Sequence, residues 1–307
     1  MRVLVTGGAG FIGANLCRSL LADGHDVRVL DDLSTGRLGN LDGLSLDLVE
    51  GSIVEPAVIA GAAADVDRIV HLAARASVPR SIAEPVAAHE ANVTGTVNVL
   101  EAARPRGLPV IVASSSSVYG DTAVSPKHED LPVAPRSPYA ASKLATEGYA
   151  LAYGVAYALP VLALRFFNVY GPLQPADHAY AAVVPRFIDA ALAGRPVEIH
   201  GDGRQSRDFT FVGTVVGVLG RAVNEATTAP GPVNLAFGTR TDLLDLVARL
   251  EALLGQSIAV EHTDPRPGDV RHSTAAGDRL AALFPGVAPI DLDQGLATTV
   301  DWFRSRS

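Results

Sequence analysis

The chain has a single cysteine, Cys17, among its 307 residues, so no intrachain disulfide can form. That fits a reducing compartment and a cytoplasmic location. Cys17 falls inside an apolar helix pattern and reads as a small buried residue. No apolar run reaches membrane-spanning length, and none precedes the first glycines as a secretory signal would. Net charge is -8, yet no long acidic or basic run exists. A nucleic-acid footprint and a membrane-surface patch are therefore not expected. The histidines are scattered, with neither H-E-x-x-H nor paired-cysteine spacing, so no metal site is expected. No repeat period is evident. No carboxylate pair for glycosidic hydrolysis is recognisable, and the serine run Ser114–Ser117 lacks a glycine elbow, which disfavours a hydrolase.

What is present is a core-building composition, 48% hydrophobic, enough for two lobes. The N-terminal stretch MRVLVTGGAGFIG organises it. Val3, Leu4 and Val5 have the β-branched, apolar character of a buried strand. Gly8, Gly10 and Gly13 fit G-x-G-x-x-G, while Gly7, Gly10 and Gly13 fit a looser spacing. A helix pattern starts at Phe11, followed by Ile12, and runs to Leu21. Strand, glycine turn and helix together form the context of a dinucleotide site, with helix N–H groups facing a pyrophosphate. A second strand, 26–30, ends at Asp31 and Asp32, eighteen and nineteen residues past Gly13. A carboxylate there binds an adenosine ribose hydroxyl and rejects a 2′-phosphate, so NAD is expected over NADP. Arg37 lies either near the adenosine phosphate face or in solvent.

Strand and helix then alternate. Further strands are expected at 44–49, 69–72, 110–113 and 160–166, and helices at 56–64, 84–104 and 139–157. This predicts an α/β fold, a Rossmann-like doubly wound parallel sheet. Small Ala73 and Ala74 after the fourth strand leave room for a ligand. From Gly171 the pattern changes. Helices at 183–192, 211–224, 241–254, 275–283 and 293–303, with short strands at 197–199, 233–235 and 258–261, predict a smaller mixed α/β lobe. The expected division is 1–168 and 169–307, with later segments returning to the first sheet. GDGRQSRDF reads as a polar loop, and Asp202, Asp264 and Asp269 as loop-shaping residues.

The surface of the 139–157 helix carries Tyr139, Ser142, Lys143, Glu147 and Tyr153. Tyr139 and Lys143 are four apart and share a helix face. A tyrosine of ordinary pKa near 10 is too weakly acidic to serve as a base at neutral pH. A lysine ammonium and an oxidised nicotinamide would lower it. Such a tyrosinate is suited to taking a hydroxyl proton while hydride leaves the adjoining carbon. Serines at the end of the fifth strand add hydroxyls to the same crevice. His71 reads as buried and satisfied rather than catalytic. Arg207 and Arg266 are candidate diphosphate clamps, each weighed against a role in loop pairing.

Together, TGGAGFIG, DDLSTG, HLAA, NVTGTVNVLEAA, SSSSVYG, YAASK, RFFNVYGP, GRQSRDF and RPGD resemble the extended short-chain dehydrogenase/reductase family. The resemblance is to its nucleotide-sugar epimerase and dehydratase branch, UDP-hexose 4-epimerases above all. It implies Tyr139 as base, Lys143 as the residue orienting tyrosine and cofactor, and Ser115 as a hydrogen-bonding partner of the sugar. It places Ser52, Ile53, Leu72, Asn92, Ser114 and Phe166 along the NAD. Ser52 stands where the family often carries an aspartate toward the adenine. Ser116, Ser117, Asn168, Arg207, Arg266 and Asp269 would contact the nucleotide sugar, and 169–307 would be mainly its lobe. The 4,6-dehydratases carry Asp-Glu where this chain has Ser116 and Ser117, and decarboxylating relatives keep a glutamate at the latter position. That departure leaves 4-epimerisation through a transient 4-keto sugar. UDP-glucose/UDP-galactose ranks first, UDP-glucuronate second and the N-acetylhexosamine pair third; Ser273, near the gate position, leaves room at sugar C2. A nucleotide-sugar reductase is the enzymatic rival. A non-enzymatic NAD sensor would have no need of Tyr139 and Lys143. A homodimer through a four-helix bundle of the 84–104 and 139–157 helices is also implied.

Overall fold

The computed structural model describes residues 1–176, 181–264 and 271–306. Seven parallel strands form one sheet: β1 (Arg2–Thr6), β2 (Asp26–Asp31), β3 (Asp47–Glu50), β4 (Arg68–His71), β5 (Val110–Ser115), β6 (Val161–Phe166) and β7 (Val233–Leu235). Their spatial order is β7-β6-β5-β4-β1-β2-β3. The order reverses between β1 and β4, which is where open α/β sheets bind ligands.

The apolar runs are buried on both sides because helices cover both faces. Val3 and Val5 join one core, and Leu4 between them joins the other. The first core includes Leu16, Cys17 and Leu20 of the helix Phe11–Ala22, and Val215 and Leu219 of the helix Val212–Glu225. The second takes Ile59 of Pro56–Ala62, Val99 and Leu100 of Gly95–Ala103, and Ala150 of Pro138–Tyr157. Cys17 is fully buried, and burial pushes its thiol up to about 12.

The helix expected over 84–104 is segmented. Val78–Ala83 precedes it, Pro85–His89 starts it, and a π-helical turn at Glu90–Thr94 leads into Gly95–Ala103. The polar loop expected at GDGRQSRDF contains two strands. Ser206–Arg207 lies between Thr241–Asp242 and His272–Ser273, and Phe209–Phe211 pairs with Asn168–Tyr170. Two or three residues are too few to show a period of two, so these strands leave no pattern. Val260–Thr263 pairs with Val197–His200, and the helices Val183–Leu192, Leu243–Leu254 and Leu292–Arg304 complete this smaller mixed region. No described helix is long and apolar enough to cross a membrane.

Candidate active site

A cleft of about 660 Å³ opens at the C-terminal edge of the sheet, around the β1–β4 reversal. Its volume lies in the range of small-molecule and cofactor sites. The glycine turn forms its floor. Gly7 has φ +74, and a Cβ there would sit 2.6 Å from the Ala73 backbone nitrogen. A Cβ on Gly13 would collide with the Gly7 carbonyl oxygen. Gly10 begins the helix Phe11–Ala22, with no side chain capping its first turn. Those first N–H groups are free to meet an anion. Gly8 instead makes room for the neighbouring strand, since a Cβ there would lie 2.6 Å from Val29. The looser glycine spacing is therefore the one that shapes the turn.

At one end of the cleft stand Asp31 and Asp32, with Ser52, Ile53 and Arg37. Asp31 is buried, and its carboxylate accepts from the Ala9 and Leu33 amides, each at 2.9 Å. Burial pushes its carboxyl up, against those two hydrogen bonds. Asp32 accepts from Ser34 Oγ at 2.6 Å. Phe11, Ile12, Leu72, Ala73 and Ala74 line the middle, and Ser114, Ser115, Tyr139, Lys143 and Phe166 the far end. The open helix turn, the acidic end and the tyrosine–lysine end suit NAD in an extended pose.

The far end is built by the helix Pro138–Tyr157. Ser137 caps it, accepting from the Ala140 amide at 3.1 Å, and Ser81 accepts from the Tyr139 amide at 3.0 Å. The second contact ties the first turn to the helix Val78–Ala83. The Ser115 hydroxyl lies near enough to the Tyr139 phenol to influence its protonation. Ser117 supports it from behind: its Oγ donates to Ser115 Oγ at 2.9 Å and its amide at 3.2 Å. Burial pushes the Tyr139 phenol up, and the Ser115 hydrogen bond draws it down. The expected pull of Lys143 on the phenol is not among these influences. The Lys143 ammonium instead donates to the Ala113 carbonyl at 2.8 Å, and burial draws it down to about 8.

Behind this wall runs a buried polar network. Asn92 does not line the cleft. Its Oδ1 accepts from the Arg75 amide at 2.8 Å, and its Nδ2 donates to Ser142 Oγ at 2.9 Å. It thereby ties the segment after β4 to the tyrosine helix. His71 sits between Thr6 Oγ1 at 2.7 Å and Thr96 Oγ1 at 3.0 Å, and burial draws it to about 3, so it is neutral. Glu147, four residues past Lys143, is buried rather than on the solvent face. It accepts from Arg165 Nε at 2.9 Å, Arg165 Nη2 at 2.6 Å and Ser114 Oγ at 2.8 Å.

Ser116, Ser117, Asn168 and Arg207 do not line this cleft. Asn168 pairs in register with Phe209, and Arg207 with Ser273, so these strands bring them together as an adjoining wall. Arg266 and Asp269 lie outside the described residues. Among the described residues no group of three or more His, Cys, Asp or Glu side chains could hold a metal ion. Trp302 and Arg306 from the C-terminal helix region also reach the cleft, and no motif in the sequence points to them. The Arg306 guanidinium stacks 5.0 Å over the Trp302 ring. That tryptophan is the only one in the sequence, the one signal that could have drawn attention to it.

The comparisons with known proteins agree with this geometry. Residues 3–236 match the NAD dependent epimerase/dehydratase family. A UDP-glucose 4-epimerase of Mycolicibacterium smegmatis is 41% identical over 315 residues, covering 100% of both chains. A UDP-N-acetylglucosamine 4-epimerase from Methanobrevibacter ruminantium M1, solved in complex with UDP-N-acetylmuramic acid, superposes with TM-score 0.94 at 35% identity. That match covers 100% of this chain and 99% of the other. The UDP-glucose 4-epimerase of Thermus thermophilus, solved in complex with NAD, superposes with TM-score 0.90 at 35% identity over 100% of both chains. With its glycine turn, acidic strand end and tyrosine–lysine helix in place, the chain belongs to the NAD dependent epimerase/dehydratase family.

Proposed function

We propose that the protein is an NAD-dependent UDP-hexose 4-epimerase, with UDP-glucose and UDP-galactose as its first substrate pair. The observation that carries this reading is the meeting of Tyr139, Lys143 and Ser115 at one end of the cleft, with Ser115 held by the Ser117 hydroxyl. It furnishes one base for a sugar hydroxyl and puts serines where dehydration would need an acid and a base. The whole-length likeness to a UDP-glucose 4-epimerase supports it.

In this mechanism Ser115 orients the C4 hydroxyl and Tyr139 accepts its proton. NAD⁺ held between the glycine turn and Lys143 would supply a reversible hydride acceptor, the chemistry that inversion at C4 needs. Tyr139 returns the proton, so the chain ends each turnover as it began. With NAD bound, a further N–H of the Lys143 ammonium would reach the cofactor ribose, and the positive charge of the oxidised nicotinamide would lower the Tyr139 phenol. Asn168, Arg207 and Arg266 are assigned to the nucleotide diphosphate and Asp269 to the substrate more broadly, which makes residues 169–307 mainly the substrate lobe. Ser273 is small enough to admit an N-acetyl group at C2, and UDP-glucuronate remains the second substrate to test.

A homodimer belongs to the same proposal. Ile82, Val86 and Val155 are 64%, 69% and 89% exposed, and Tyr149 and Tyr157 are exposed as well, on the packed helices Val78–Ala83, Pro85–His89 and Pro138–Tyr157. Sedimentation velocity is expected to give twice the 31.9 kDa chain mass.

The functional test is anomeric-region NMR of purified protein with UDP-glucose, UDP-glucuronate or UDP-N-acetylglucosamine, without added nicotinamide. A galacto-configured product is expected from retained, recycled cofactor, and the relative rates rank the substrates. Stoichiometric consumption of added NADH would support the reductase instead. No product in any tube, even with NAD⁺ supplied, refutes epimerisation of these sugars.

A further inference from the structure

Lysine is rarely fully buried without a partner. Lys127 lies in the strap SPKHED between β5 and the tyrosine helix and is only 2% exposed. Its direction is fixed by backbone pairing. The Lys127 amide donates to the Thr274 carbonyl at 2.8 Å, and the Lys127 carbonyl accepts from the Ala276 amide at 2.9 Å. Lys127 is thus bridged to Ala275 in parallel register. Residues paired across a ladder share a face, and so do residues two apart along an extended segment. Ser273, two before Ala275, pairs with Arg207. Lys127, Ala275, Ser273 and Arg207 therefore project to one side, the side of the proposed sugar wall.

The electrostatics agree with that placement. The charge of Arg207 reaches Lys127 and, together with burial, lowers its affinity for a proton. No hydrogen bond or ion pair from a described residue meets the Lys127 ammonium; it stands 5.9 Å over the Tyr119 ring. Asp121, the acidic group it feels, is itself bonded to Arg136 at 2.8 Å. An ammonium without an ionic partner, on a side chain this buried and within reach of another positive charge, is favoured when an anion joins it.

We propose that Lys127, beside Arg207, binds an anionic oxygen of the nucleotide sugar, on its phosphate or on a carboxylated hexose. This rests on the nucleotide-sugar reading above. The two sources share the chemistry of a charged oxygen and separate by ligand.

The test is calorimetric binding of UDP, UDP-glucose and UDP-glucuronate to the full-length NAD-loaded protein, wild type and Lys127→Met, with thermal melting of both. The variant is expected to melt at or above wild type, since an unpaired buried charge is gone, and to bind at least tenfold more weakly. Weakening of all three ligands identifies the phosphate. Weakening of UDP-glucuronate alone identifies a sugar carboxylate. Lys127→Arg, which keeps the charge, is expected to retain more affinity than Lys127→Met. Wild-type affinity for all three ligands in Lys127→Met overturns the proposal, as does a melting point well below wild type, which would make the ammonium a structural group. Wild-type protein that binds none of the ligands overturns the nucleotide-sugar reading instead, a distinct result.

Discussion

Replacing Glu147 by Gln is expected to cost stability out of proportion to the one atom changed. Glu147 and Arg165 are 5% and 3% exposed, and the carboxylate receives three hydrogen bonds, two from Arg165 and one from Ser114. The amide introduced by Glu147→Gln would keep one acceptor, but the Arg165 charge would remain buried without its counter-charge. The Arg165 Nη1 already has no partner among the described residues. Breaking a buried pair from one side costs about 3–5 kcal/mol. The retained amide hydrogen bonds favour the lower end, about 3 kcal/mol. At about 2 °C per kcal/mol for a chain of this size, melting should fall by roughly 6 °C. Urea unfolding followed by circular dichroism measures the first figure and calorimetry the second. Two controls give the number meaning. Arg136→Gln breaks the pair with Asp121, whose side chains are 71% and 49% exposed, and should cost less than about 1 kcal/mol. Removing both charges, Glu147→Leu with Arg165→Met, should cost less than Glu147→Gln alone, because no orphan charge is left. A Glu147→Gln variant within about 0.5 kcal/mol of wild type would refute the reasoning, since a buried unpaired guanidinium cannot be that cheap.

Ser117→Ala removes the hydroxyl that donates to Ser115 at 2.9 Å. One neutral hydrogen bond is worth about 1 kcal/mol, so kcat should fall about fivefold with KM nearly unchanged. A raised KM with kcat intact would assign Ser117 to sugar binding instead. His71 is held neutral in the fold, its pKa drawn from 6.5 to about 3. Below pH 6.5 the unfolded chain takes up a proton that the folded chain refuses, so stability is present above that pH and lost on acidification. From pH 6.5 to 5 the loss should be about 2 kcal/mol, and His71→Asn should flatten that slope in urea titrations. Equal slopes for both proteins would sink the assignment.

Much of this site is legible in the sequence because its constraints are local. The glycine turn needs small residues at fixed offsets within one loop, and Tyr139 and Lys143 need one helix face. The same holds for β1, whose Val3, Leu4 and Val5 are buried by two different cores. The illegible parts depend on distant chain. Asn168–Tyr170 and Phe209–Phe211 are strands only because they pair with each other. Glu147 reads as a surface helix residue because its partner, Arg165, lies on another element. Asn92 reads as a cofactor contact, yet its hydrogen bonds run to Arg75 and Ser142 behind the wall. Lys127 carries no signal at all, because its burial comes from Thr274 and Ala275.

The local and distant constraints meet on one helix. Tyr139, Lys143 and Glu147 follow at intervals of four, so they descend one face of Pro138–Tyr157. The top of that face meets Ser115 at the end of β5, the middle meets Ala113, and the bottom meets Ser114 and Arg165. Three consecutive residues of β5 are thereby tied to three successive turns of the helix. A shift of the helix by one turn would move Tyr139 by about 5.4 Å. It would also strand the Lys143 and Glu147 charges away from their partners. The tyrosine–lysine spacing and the buried charge pair are therefore held by a single register. That is why a substitution at Glu147, which does not line the cleft, should be felt in the rate as well as in the melting temperature.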